Sequence, residues 1–137
     1  MDQLLINSKK DKGLYDVFFK VKELLGEYQF SFEFEFQIEI IIEEIFVNIV
    51  KHAYNDEEGI IEINFEVLED PLRIHIVFID NGPMFNPLEF ENSNLSDDID
   101  EREIGKLGIY IVKEYADDIN YNYKNNQNVL SIIKSIH

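Results

Sequence analysis

The chain contains no cysteine, three prolines and six glycines among 137 residues. Without cysteine, disulfides and thiolate metal sites are excluded, which fits a reducing cytoplasm. No apolar run approaches the roughly 20 residues of a membrane span. The start, Met1-Asp-Gln-Leu4, offers neither the basic stretch nor the apolar core of a secretion signal. Positive charge is scarce: 12 Lys and Arg against 28 Asp and Glu leave a net charge of −16. Phosphate-backbone binding needs clustered Lys and Arg, so nucleic acid is not an expected partner, and neither is a membrane. The expected setting is soluble and cytoplasmic. The same negative field repels a polyphosphate ligand unless magnesium and backbone amides offset it locally. Most of the acids, including Glu57-Glu58 and Asp97-Asp98, read as solvated surface.

Apolar residues make up 45% of the chain, with eleven Phe and seven Tyr, which is too apolar for disorder and enough for one core. A single domain over 1–137 is expected. Gln3 to Ile6 reads as a short edge strand. From Gly13 to Tyr28, Leu14, Val17, Phe18, Val21, Leu24 and Leu25 fall at helical spacing. Gln29 to Gln37 is ambiguous, because Phe30, Phe32, Phe34 and Phe36 alternate as in a strand, while from Ile38 to about Ala53 the pattern is helical. Ile60–Leu68 and Leu72–Ile79 are strands joined by a turn at Glu69-Asp-Pro71. Leu88 to Glu103 lacks periodicity and reads as a lid over about 88–104. Leu107 to Ala116 is helical, and Ile119–Lys124 with Val129–Ile136 forms a closing hairpin turned by Asn125-Asn-Gln-Asn128. The order predicts an α+β two-layer sandwich, with helices on one face of a mixed, mostly antiparallel sheet.

Three stretches carry chemistry. At about 100° per residue, Glu44 and Asn48 lie within roughly 40° of each other on one helical stripe. Apolar Ile41, Ile45 and Ile49 border one side of that stripe, and Ile40 and Val47 the other. A carboxamide oxygen suits magnesium, and a carboxylate one turn away can orient or deprotonate an attacking hydroxyl. Glu43 competes for that role but sits farther around the helix. Lys51 and His52 continue near the stripe, where they can meet a phosphate or serve as packing and surface residues. Asp80 closes an apolar strand before Asn81-Gly82-Pro83. An acid there can accept the exocyclic amine of adenine, with Gly82 admitting the base and Phe85 and Pro87 packing below. A plain Asp-Asn-Gly turn is the other reading of this stretch. Gly105 and Gly108 bracket a helix start whose free amides can hold phosphate, with Lys106 and Leu107 between them.

Taken together and in order, these stretches resemble the ATP-binding domain shared by gyrase, heat-shock chaperones, histidine kinases and MutL-type proteins. Within that group the chain is most similar to the single-domain anti-sigma-factor serine kinases. Glu44-x-x-x-Asn48-x-x-x-His52-Ala53 matches the asparagine box. Asp80-Asn-Gly82-Pro-x-Phe85-Asn86-Pro87 matches the first glycine box, with Asn86 where Asp is more usual. Arg102-x-x-Gly105-Lys106-Leu107-Gly108 matches the second glycine box, with Lys106 where a second consecutive glycine is usual.

The resemblance implies Glu44 as general base and Asn48 as magnesium ligand. It implies an ATP-binding set of Asn48, Lys51, His52, Asp80, Gly82, Phe85, Asn86, Gly105, Lys106, Leu107 and Gly108. The implied activity is transfer of phosphate from ATP, with Mg2+, to serine or threonine of an anti-anti-sigma partner, and regulation of a sigma factor. A homodimer is a further implied partner. The alternative is an ATP-binding regulatory interaction module without significant kinase turnover.

Overall fold

The computed structural model describes residues 2–8, 13–55, 57–92 and 101–137, and of 90–92 and 101–107 the backbone alone. Five strands form one sheet: β1 (Asp2–Asn7), β2 (Ile60–Leu68), β3 (Arg73–Asp80), β4 (Asp118–Lys124) and β5 (Gln127–Ser135), in the order β1-β2-β3-β5-β4. Where a mixed, mostly antiparallel sheet was expected, every pairing among the described residues is antiparallel. Helices α1 (Gly13–Leu25), α2 (Phe32–Asn48) and α3 (Glu101–Tyr115) supply the second layer, giving the α+β sandwich expected from the sequence.

Alternation fixes the register. Ile61, Ile63 and Phe65 of β2, Ile74, Ile76 and Phe78 of β3, and Leu130 and Ile132 of β5 all point into the core with the helices. Their pairs match across strands: Ile63 with Phe78, Phe65 with Ile76, and Ile76 with Ile132. A slip of one residue would turn each of these outward, and burying each is worth about 1.5–3 kcal/mol.

The ambiguous Phe run proves helical. Ser31 caps α2, its hydroxyl oxygen accepting from Phe34 N–H at 3.0 Å. Phe34 is buried while Phe32 and Phe36 are exposed, so the alternation arises from a helix that is apolar on two sides. The helix also ends earlier than its periodicity suggests. After Asn48 the chain makes a π-helical turn, Ile49–Ala53, in which Tyr54 N–H reaches back five residues to Ile49 C=O at 3.1 Å. α1 stops at Leu25 rather than Tyr28.

Part of the aperiodic stretch is ordered. Pro87–Asn92 forms a 3-10 turn and α3 begins at Glu101 rather than Leu107, while residues 93–100 of the expected lid lie outside the described residues. The last hairpin turns more tightly than expected. Asn125 and Asn126 both take positive φ (54° and 60°), as a two-residue turn requires, so β5 starts at Gln127. Lys134 of β5 is buried, donating to Gln37 Oε1 of α2 at 2.7 Å and to Tyr115 C=O at the end of α3 at 2.8 Å, which anchors α3 to the rest of the domain. Among the described residues, no helix is long and apolar enough to cross a membrane.

Candidate functional site

β3 is the middle strand, and its last residue, Asp80, is the centre of the site. Asp80 is buried, flanked by Ile61 of β2 and Asn128 of β5. Among the described residues one carboxylate oxygen, Oδ1, takes both of its hydrogen bonds: from Gly82 N–H at 2.9 Å and from the Asn128 amide at 2.8 Å, and Oδ2 takes neither. Burial pushes the Asp80 pKa up, and the bonds from Asn128 and Gly82 pull it back part of the way.

Asn128 holds the turn after β3 together. Besides Asp80, its amide donates to Pro83 C=O at 3.0 Å and Gly82 C=O at 3.3 Å. Its carbonyl oxygen accepts from Phe85 N–H at 3.0 Å and from the Tyr121 hydroxyl. One side chain therefore fixes the whole Asp80–Phe85 turn. The sequence pattern places Asn128 in a hairpin turn, whereas the structure places it in β5 as the residue that holds the site turn. The two left-handed Asn residues before it carried the signal, because they complete the turn and free Asn128 for the strand.

The C-terminal end of α2 closes over this turn. Asn48 is buried, and among the described residues its amide nitrogen has no hydrogen-bond partner. The π-helical turn below it rotates His52 so that its ring stacks on Phe85, with centroids 4.9 Å apart and planes 17° from parallel. Ala53 packs directly on the turn: a Cβ on Gly82 would fall 2.5 Å from Ala53 C=O and 2.7 Å from Ala53 Cβ. Gly82 was expected to admit a base, and here its missing side chain makes room for Ala53. The Tyr54 hydroxyl bridges the strand ends, accepting from Asn81 N–H at 2.9 Å and donating to Ile60 C=O at 2.6 Å.

Glu44 lies one turn back along α2, against α3. A Cβ on Gly108 would fall 2.0 Å from Glu44 Oε2, so the carboxylate occupies the space a side chain would fill. Burial raises the Glu44 pKa, the neighbouring Glu43 raises it further, and Lys51 lowers it. Lys51 itself is exposed. Gly105, Lys106 and Leu107 lie in the first half of α3, but the predicted contacts of their side chains fall outside the described residues.

Between these walls is a cavity of ≈ 20 Å³, about the room of one water. Asn48, Asp80 and Asn128 provide its polar groups, and Ile45, Ile49, Phe78, Ile109 and Leu130 its apolar lining, with Phe85 and Tyr121 alongside. Of the predicted residues, Asn48, Asp80 and Phe85 line the cavity. Gly82 and His52 hold its walls in place. Asn86 caps the 3-10 turn, its side-chain oxygen accepting from Leu88 N–H at 2.9 Å.

A helix carrying a carboxylate and a buried carboxamide, over a strand-end acid and a glycine turn, defines a family. Residues 10–134 match the model of the histidine kinase-like ATPase domain, and the chain belongs to that family. Among curated proteins it is similar to the serine-protein kinase RsbW of Staphylococcus epidermidis and of Staphylococcus aureus. Each is 36% identical over 104 residues, 71% of this chain and 63% of the relative's own length. Among solved structures, the crystal structure of the RsbU and RsbW domains of Rv1364c from Mycobacterium tuberculosis shares the fold, with a TM-score of 0.64. That match covers 99% of this chain and 33% of the other at 14% identity.

Proposed function

We propose that the chain is an ATP- and magnesium-dependent protein serine/threonine kinase of the anti-sigma-factor type. The observation that carries this reading is Asp80, a buried carboxylate whose two hydrogen bonds both fall on one oxygen, leaving the other for the exocyclic amine of adenine. The cavity lies directly beside this carboxylate, and Phe85, stacked on His52, forms its wall near the surface.

Asn48 fits magnesium through its donor chemistry. Its buried carboxamide lines the cavity beside Asp80 and Asn128 and carries a hard oxygen, and a magnesium ion needs few protein ligands when phosphates and waters complete its shell. When bound, the ion would neutralise charge on the phosphates. Glu44, with its pKa raised by burial, is the general base for the acceptor hydroxyl. The first turns of α3, carrying Gly105, Lys106, Leu107 and Gly108, would hold the phosphates, with Lys51 as a further cation. The proposed acceptor is a serine or threonine of an anti-anti-sigma protein, and the proposed regulatory target is a sigma factor.

The test is incubation with γ-labelled ATP, magnesium and an anti-anti-sigma protein. Label on a serine or threonine of the acceptor, lost in Glu44→Gln while ATP binding persists, supports the kinase. ATP binding without transfer would reduce the reading to a nucleotide-binding interaction module.

A further inference from the structure

α2 is apolar on both sides. Its inner side fills the core with Phe34, Ile38, Ile41, Ile42 and Ile45. On its outer side Phe32 is 83% and Phe36 49% exposed, and half-buried Ile40 extends that strip at four-residue spacing. α1 repeats the pattern. Val17, Val21 and Leu25 point inward, while Tyr15 and Phe19, four apart, are each 72% exposed. Lys22 of α1 lies 3.3 Å from Glu35 of α2, fastening the two helices side by side. A helix apolar all round is normally covered, and clustered exposed aromatics mark interaction sites.

Among the described residues, the rim of this face is acidic along α2, whereas on α1 Asp16 and Glu23 are matched by Lys20 and Lys22. Lys20 and Lys22 are already paired, with Glu23 at 3.4 Å and Glu35 at 3.3 Å, and Asp16, Glu33, Glu39 and Glu43 add further carboxylates on the same two helices. We propose that the outer side of α1 and α2 docks a protein partner presenting an apolar ridge ringed by Lys and Arg. Such a partner places its cations on those carboxylates and its ridge on the aromatics, the arrangement of an apolar interface centre with a charged rim. A second copy of this chain would instead bring the same acids edge to edge, at a net charge of −16 each, and like-charge contact opposes that pairing. The inference rests on the reading that this chain acts on other proteins. It places the docked partner on the helix that also carries Glu44 and Asn48.

The probe is a fluorescent amphipathic helix of leucine and lysine, titrated by anisotropy beside its leucine–glutamate counterpart. The proteins are the full chain and the variants Phe32→Ser/Phe36→Ser and Tyr15→Ser/Phe19→Ser, which alter exposed positions and keep the net charge. The expected result is salt-sensitive binding of the basic peptide to the full chain, weakened about 10-fold or more in each double variant, with the acidic peptide unbound. Absent binding, or equal binding in the variants, overturns the proposal. So does sedimentation showing a dimeric chain that the variants render monomeric, because the occupant is then a second copy. ATP affinity, measured on the same samples, is unchanged in the variants. A chain that binds the peptide but not ATP would sink the kinase reading and leave this face standing.

Discussion

Asn128 stands directly opposite Asp80 in the β3–β5 ladder, and its amide reaches 2.8 Å to the carboxylate oxygen that also accepts from Gly82. Asp80→Asn keeps an oxygen for both bonds and removes a buried charge. Burial raises the Asp80 pKa above its ordinary 3.8, so in this window the folded chain holds more protons than the unfolded one. The ionised form therefore costs stability, increasingly as pH rises from about 4 through the folded pKa. Asp80→Asn is expected to melt at or above the wild-type temperature at pH 7, with the difference vanishing below pH 3.8. Asn128→Ala, which strips the turn of its bonds and leaves Asp80 buried, is expected to lose roughly 2–4 kcal/mol. Thermal melts across pH check both.

The two glycines of the site differ in what crowds them. At Gly82 the obstruction is largely the Ala53 backbone, which cannot step aside, so Gly82→Ala is expected to destabilise by about 1–3 kcal/mol. At Gly108 the obstruction is the end of the flexible Glu44 side chain. Gly108→Ala should fold, helped by roughly 1 kcal/mol of helix propensity, but displace the carboxylate. Phosphotransfer is expected to fall while ATP affinity holds. Denaturant melts and ATP titration separate the two cases.

Charge neighbours of Glu44 give its role a pH signature. Glu43 raises the Glu44 pKa and Lys51 lowers it. Glu43→Gln is expected to move the acidic limb of the rate profile to lower pH, and Lys51→Met to higher pH. A profile that ignores both changes identifies a different base.

Among the described residues the buried amide nitrogen of Asn48 has no partner, an arrangement that costs stability. Asn48→Leu is expected to stabilise the chain by about 1–2 kcal/mol and to abolish the magnesium dependence of ATP binding. Calorimetric melts and titrations with and without magnesium check it.

Much of this was legible in sequence because the physics was local. The alternation in β2 and β3, the end of β3 at Asp80 and the stripe joining Glu44 to Asn48 each follow from neighbouring residues. What was not legible depends on tertiary context. The Phe run is ambiguous between strand and helix because α2 keeps a second apolar side that this domain leaves exposed. The π-helical turn breaks the helical phase before His52, so its stack on Phe85 does not follow from spacing. Asn128 needed two left-handed asparagines to be recognised as the whole hairpin turn.

Asp80 is proposed to read adenine. Calorimetric titration of ATP and GTP, with magnesium, into the wild type and Asp80→Asn tests it most directly. The expected result is ATP bound at least about 10-fold more tightly than GTP, with ATP affinity falling about 10- to 100-fold in Asp80→Asn. Equal ATP binding by the folded Asp80→Asn variant would contradict the account.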